Sequence, residues 1–155
     1  MQLKFTISGR IAKPVSEVFE AVVNPEHLSH YFTTGGAKGR LEPGATVTWD
    51  FADFPGAFPV IVEEVEKDKR IVLRWEAADD APEGESAAPH DTKVTMTFEQ
   101  LEDGRTLVAI TEEGWRETEK GLKASYDNCE GWTGMLLAMK MWLEHRLEIR
   151  HGLYK

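Results

Sequence analysis

At 155 residues the chain is long enough for a single domain spanning residues 1–155, burying roughly 68–70% of the surface that its unfolded form exposes. Its 18 Lys and Arg stand against 27 Asp and Glu, a formal charge of −9, which argues against nucleic acid and anionic membranes as partners because both bind through clustered positive charge. The lone cysteine, Cys129, has no partner for an internal disulfide and fits a reducing compartment. Met1-Gln2-Leu3-Lys4 leads into an alternating pattern rather than a signal peptide. No run of about 18 apolar residues is present to span a membrane, so the expected location is cytoplasmic.

Leu3, Phe5, Ile7 and Ile11 fall into the alternation of a first strand with one buried face. Pro14 then opens a short helix whose apolar face is Val15, Val18, Phe19, Val22 and Val23. Asn24-Pro25 ends it and starts a second, with Asn24 as N-cap and His27-Leu28-Ser29-His30-Tyr31-Phe32 as its body. Residues 35–39, Gly-Gly-Ala-Lys-Gly, read as a loop and lack the spacing of a phosphate cradle.

A series of half-buried strands follows. Val47, Trp49 and Phe51 share one face, and Phe54-Pro55-Gly56 is read as a turn. Phe58, Val60 and Val62 come next, then a turn at Lys67-Asp68-Lys69, then Ile71, Leu73 and Trp75. Residues 77–91 are small, acidic and proline-bearing, which predicts a mobile surface loop joining two strands. Val94, Met96 and Phe98 alternate again, and Glu102-Asp103-Gly104 turns a hairpin. In the last strand, Thr106 to Glu113, Leu107 and Ala109 share one face and Val108, Ile110 and Glu112 the other; the second set is taken as inward.

Beyond Gly114-Trp115 the chain runs without proline and carries a helical stripe of Tyr126, Cys129, Trp132, Leu136, Met139 (or Lys140), Leu143 and Leu147. Gly131 and Gly134 inside that helix each cost about 1 kcal/mol relative to alanine. They point to close packing against a strand or to space for a ligand. The pattern as a whole is one long helix laid over one antiparallel sheet, an α+β fold with about six to seven strands that can enclose a cavity.

The order strand, two short helices, antiparallel strands, long helix resembles the START-like, helix-grip fold of the SRPBCC superfamily, also called birch-pollen-allergen-like. Ile11-Ala12-Lys13-Pro14-Val15-Ser16-Glu17-Val18-Phe19, then Asn24-Pro25-Glu26-His27-Leu28 and Tyr31-Phe32, is similar to the opening of one branch. That branch is homologous to the C-terminal domain of the activator of the heat-shock-protein-90 ATPase (AHSA-type). Gly44 with Val47 to Phe51, Thr111-Glu112-Glu113-Gly114-Trp115 and Gly131-Trp132 fit the same branch. The resemblance implies a curved sheet wrapped around the last helix with an elongated cavity between them. It makes a chaperone-accessory role one expectation, the weaker because the activator's N-terminal docking domain has no counterpart in these residues.

The expected function is to hold a small hydrophobic or aromatic molecule. Trp49, Phe51, Val60, Trp75, Met96, Ile110, Glu112, Trp115, Trp132, Leu136 and Met139 are the candidate lining. Tryptophan offers a large apolar wall with one polar handle. Glu112 is the one carboxylate on the inward face, and a buried carboxylate has a raised pKa and can act as acid or base. It makes a cyclase- or hydrolase-like enzyme the alternative, although no second acid or base is placed beside it, so an enzyme is the less expected outcome. His27 and His30, three apart, are read as surface residues near a pocket mouth rather than metal ligands. His145, Arg146, Arg150 and His151 are read as complementing the dipole at the helix C-terminus. Cys129 is expected to be an inert core thiol. No metal and no cofactor are expected, and the chain is expected to be a monomer or homodimer.

Overall fold

The computed structural model describes residues 2–79 and 89–155. Strand β1 (Lys4–Ile11) is followed by helices α1 (Val15–Val23) and α2 (Pro25–Tyr31). Then come β2 (Gly36–Lys38), β3 (Thr46–Phe51), β4 (Phe54–Glu66), β5 (Arg70–Glu76), β6 (Asp91–Gln100), β7 (Thr106–Glu113) and the long helix α3 (Glu119–His145). The described strands make one seven-stranded sheet in the order β1-β7-β6-β5-β4-β3-β2, antiparallel at every pair. This is the α+β helix-grip arrangement. Among the described residues no helix is long and apolar enough to cross a membrane.

Local chemistry accounts for the elements. Asn24 caps α2 by accepting from Glu26 N at 3.0 Å, with Pro25 in the first turn, where a missing N–H costs nothing. Thr118 caps α3 by accepting from Gly121 N at 3.0 Å. Asp68 (φ 62°) and Gly104 (φ 87°) take the left-handed turns after β4 and β6. Register shifts between Trp49 and Phe51 and between Val62 and Glu64 mark irregularities in β3 and β4 of the kind that bend a strand.

Three expectations are corrected. Residues 36–38, read as part of a loop, form β2 and pair with β3 from Gly36↔Asp50 to Lys38↔Thr48. Three residues are too few for alternation to show in sequence. Phe54-Pro55-Gly56, read as a turn, begins β4; the chain turns one step earlier, at Ala52-Asp53. The helical stripe is also narrower than it reads, because Tyr126 is 68% exposed, Cys129 is only half-buried, and Leu147 lies beyond the helix and is 53% exposed. Helix α3 stops at His145 because Arg146 adopts a left-handed conformation (φ 55°). Residues 80–88, the middle of the expected loop, lie outside the described residues; the segment containing them joins β5 and β6, which pair from Arg70↔Thr97 to Glu76↔Asp91.

The core lies between the inward sheet face and α3. Val47, Trp49, Val60, Val62, Ile71, Leu73, Val94, Met96, Val108 and Ile110 supply the sheet side, and Trp132, Met135, Leu136, Met139 and Leu143 the helix side. In β7 the buried set is Thr106, Val108, Ile110 and Glu112, the parity read as inward. Helix α3 comes close to β1, where a Cβ on Gly9 would sit 2.9 Å from Leu136 Cδ2.

Candidate functional site

Away from β1, space remains between α3 and the sheet. A cavity of about 420 Å³ lies there, within the range of small-molecule sites. Its floor is aromatic: Phe32 from the end of α2, Phe51 from β3, Trp75 from β5 and Trp132 from α3. These rings pack on one another, Trp75 against Trp132 at 5.3 Å and Phe32 against Phe51 at 4.9 Å between centroids. Asp127, Asn128, Glu130 and Gly131 form the helix side, and Phe54, Arg150 and Tyr154 complete the rim.

Behind this floor lies Glu112, fully buried. Trp75 Nε1 donates to its Oε2 at 2.9 Å, Thr92 Oγ1 to Oε2 at 2.6 Å, and Trp132 Nε1 to Oε1 at 2.7 Å. Asn128 Nδ2 donates to both oxygens at 3.0 Å. All four partners are uncharged. Burial is the leading influence and raises the carboxyl above its ordinary value, while the hydrogen bonds from Thr92, Trp75, Trp132 and Asn128 pull the other way. Trp75, Asn128 and Trp132 are both cavity wall and Glu112 donors. Glu112 therefore sets the orientation of two indoles and one amide, and a molecule in the cavity meets those groups before the carboxylate.

The end of the chain closes the rim. After the left-handed Arg146, the tail brings Arg150 beside Asp53, with Nη1 to Oδ2 at 2.6 Å and Nη2 to Oδ1 at 3.3 Å. Both side chains are about nineteen-twentieths buried, at 6% and 5% exposure. The guanidinium lies 5.6 Å from the Phe51 ring centre and 4.8 Å from that of Tyr154. Tyr154 Oη donates to Glu130 O at 3.1 Å.

Of the residues expected from sequence, Phe51, Trp75 and Trp132 line the cavity, and Glu112 stands directly behind it. Trp49 forms a second layer, edge-on to Trp75 at 5.8 Å and to Trp132 at 6.5 Å. Val60, Met96, Ile110, Leu136 and Met139 are packed in the core, and Trp115 stacks on Phe5 at 5.6 Å. Alternation tells which side chains face the helix, not which of them meet empty space. Arg150, read as a dipole partner of the helix end, is instead a cavity residue paired with Asp53. His30 stacks on Trp142 at 4.1 Å and meets Glu148 at 2.7 Å. Phe32, Asn128, Arg150 and Tyr154 had no site signal of their own, although Asn128, one turn before Trp132, shares its helix face.

Of the two helix glycines, Gly131 borders the cavity, while Gly134 packs closely against the C-terminal tail rather than against a strand. A Cβ on Gly131 would meet no atom within 4 Å, and the residue borders the cavity; a Cβ on Gly134 would come 2.2 Å from Tyr154 Oη. Gly131→Ala is therefore expected to raise stability by about 1 kcal/mol through helix propensity, while Gly134→Ala gains nothing because Tyr154 must move. Urea unfolding of the two variants side by side reads the difference.

The model of the family described as "Activator of Hsp90 ATPase homolog 1-like protein" matches residues 12–144. The chain belongs to that family. Solved structures agree on the fold of this AHSA-type domain. Protein SSP2350 from Staphylococcus saprophyticus is 27% identical with a TM-score of 0.76, over 95% of this chain and 96% of that one. The Aha1 dimer from Colwellia psychrerythraea, a solution structure, is 21% identical with a TM-score of 0.70, over 92% and 96%. DynU16, a putative protein in the dynemicin biosynthetic locus, is 21% identical with a TM-score of 0.73, over 92% of this chain and 47% of that one. No curated protein matches the chain.

Proposed function

We propose that this AHSA-type domain binds a small, predominantly aromatic molecule in the cavity between the sheet and α3. The observation that carries the reading is the floor of the cavity. Trp75 and Trp132 have their indole N–H groups committed to the buried Glu112, so what remains for a ligand is ring surface, joined by Phe32 and Phe51. Such a floor favours flat apolar groups. The alternative of Glu112 as a catalytic acid or base has less support, because both oxygens are occupied by four donors and three of those donors stand between it and the cavity.

The test uses the protein's own reporters. Bicyclic aromatic probes at tens of micromolar are titrated while backbone NMR signals and the melting temperature are followed. The expected result is saturable shifts at Gly131, Trp132 and Trp75 indole N–H, with a rise in melting temperature, since a ligand selective for the native state stabilises it. Shifts spread over the outer sheet face, or none with any probe, would sink the reading.

A further inference from the structure

The cavity is not purely apolar. Arg150 reaches its wall through a side chain only 6% exposed. A guanidinium carries five N–H donors, and the bonds to Asp53 engage one on each Nη. The remaining N–H groups have no hydrogen-bond acceptor among the described residues. Facing the same space is Asn128, whose Nδ2 is committed to Glu112. A carboxylate accepts, so the amide nitrogen must point at it, and the Asn128 carbonyl oxygen is left for the cavity. The site thus offers spare donors beside Phe51 and Tyr154, and a spare acceptor beside Trp75 and Trp132.

Charge decides what those donors fit. Arg150 is already balanced by Asp53. At the rim, Asp127 is balanced by Lys123 at 2.7 Å, while Glu130 has no ion-pair partner among the described residues. Glu112 behind the floor has only neutral donors. Among the described lining residues the one Lys or Arg, Arg150, is balanced, so an anionic ligand in the cavity would add negative charge beside Glu130 and Glu112; Lys155, whose Nζ lies 4.5 Å from the Phe54 ring centre, stands outside the lining. A neutral carbonyl takes the charge-assisted hydrogen bond without that repulsion.

We propose that Arg150 is the specificity-determining residue of this cavity, selecting uncharged aromatic carbonyl compounds by donating to the ligand's C=O. The proposal rests on the cavity being a binding site. Asp53 holds the guanidinium through two hydrogen bonds and balances its charge, which is what turns a cation into a selector of neutral acceptors.

Three probes of one shape separate the possibilities: 2-acetylnaphthalene, 2-ethylnaphthalene and 2-naphthoate, titrated at pH 8 by protein-observed NMR. The wild type is expected to bind the ketone at least about tenfold more tightly than the hydrocarbon, close to the lower end for a hydrogen bond to a charged group, and more tightly than the carboxylate. The double variant Asp53→Asn/Arg150→Met removes the pair without stranding either charge. It is expected to lose the ketone's advantage while holding 2-ethylnaphthalene unchanged. Asp53→Asn alone, which leaves Arg150 unbalanced, is expected to raise affinity for 2-naphthoate. Equal binding of ketone and hydrocarbon by the wild type, a ketone preference that survives the double variant, or 2-naphthoate as the tightest wild-type ligand each overturns the assignment of Arg150 while leaving the cavity reading intact. If none of the three binds at the cavity, the cavity reading itself fails, and this proposal with it.

Discussion

Replacing Glu112 with alanine is expected to destabilise the fold by about 3 kcal/mol, measured by urea unfolding at pH 7. The cost comes from the donors left behind. Thr92 is fully buried, and Trp132, although its ring borders the cavity, is only 2% exposed, so these two donors are the ones left least hydrated, and a buried donor without an acceptor costs roughly 1–3 kcal/mol. Trp75 and Asn128 line the cavity and can hydrate there, which limits their share. Relief from burying a carboxylate with no cation offsets part of the loss. Glu112→Gln keeps one acceptor oxygen but turns an amide N–H₂ toward donors, so it is expected to fall between alanine and wild type.

The same group sets a pH dependence of definite sign. Burial raises Glu112 above its ordinary 4.5 in the folded state. Between 4.5 and the higher folded value, the folded chain therefore binds more protons at this site than the unfolded chain does. By linkage, Glu112's contribution to stability declines as pH rises through that window and is flat above it. Glu20 and Glu144 are shifted downward, with Arg40 the leading partner of the first and Lys140 holding the second against its burial. Their contributions run the other way, so the total curve is not diagnostic. The gap between wild type and Glu112→Ala isolates the site: it is expected to be widest below pH 4.5 and to narrow as pH rises. A gap that widens with pH would mean that the four hydrogen bonds outweigh burial.

How much of this was legible in the sequence follows from what each pattern encodes. Strand alternation reports a face, so Val108, Ile110 and Glu112 could be placed inward on β7, as the structure has them. The helix is harder, because its inward face changes character along its length. From Trp132 to Leu143 that face is large and apolar, and its stripe is readable. Toward the N-terminus it is Gly121, Ala124, Ser125 and Asn128: a Cβ on Gly121 would run into the Arg116 carbonyl, and Asn128 is polar because it donates to Glu112. A pattern keyed on apolar residues drifts instead to Tyr126 and Cys129, which lie off the buried face. Arg150 escaped for another reason. Its partner Asp53 is 97 residues away, and a basic residue after a helix has an adequate local explanation in the dipole. Glu112 was visible as an inward carboxylate, but its donors come from β5, β6 and α3, a convergence that only the fold supplies.

Filling the cavity from within should separate binding from stability. Gly131→Trp is expected to weaken binding of 2-acetylnaphthalene at least about a hundredfold while leaving the unfolding free energy within about 1 kcal/mol of wild type. The position suits the change because a Cβ there meets no atom within 4 Å and the residue borders the cavity, so a large side chain enters space rather than core. Helix propensity favours any ordinary residue over glycine at this interior position, which offsets the ordering of the new side chain. The loss of affinity follows from volume, since an indole competes for the same ring surfaces of Trp75, Trp132 and Phe51 that the probe would use. Gly131→Ala is the control, adding a methyl too small to block the cavity, and is expected to retain affinity within a few-fold. A folded Gly131→Trp protein with undiminished affinity would place the probe elsewhere on the molecule. A variant that unfolds while Gly131→Ala is stabilised would instead show that α3 has less freedom above the sheet than its distance from neighbouring atoms implies.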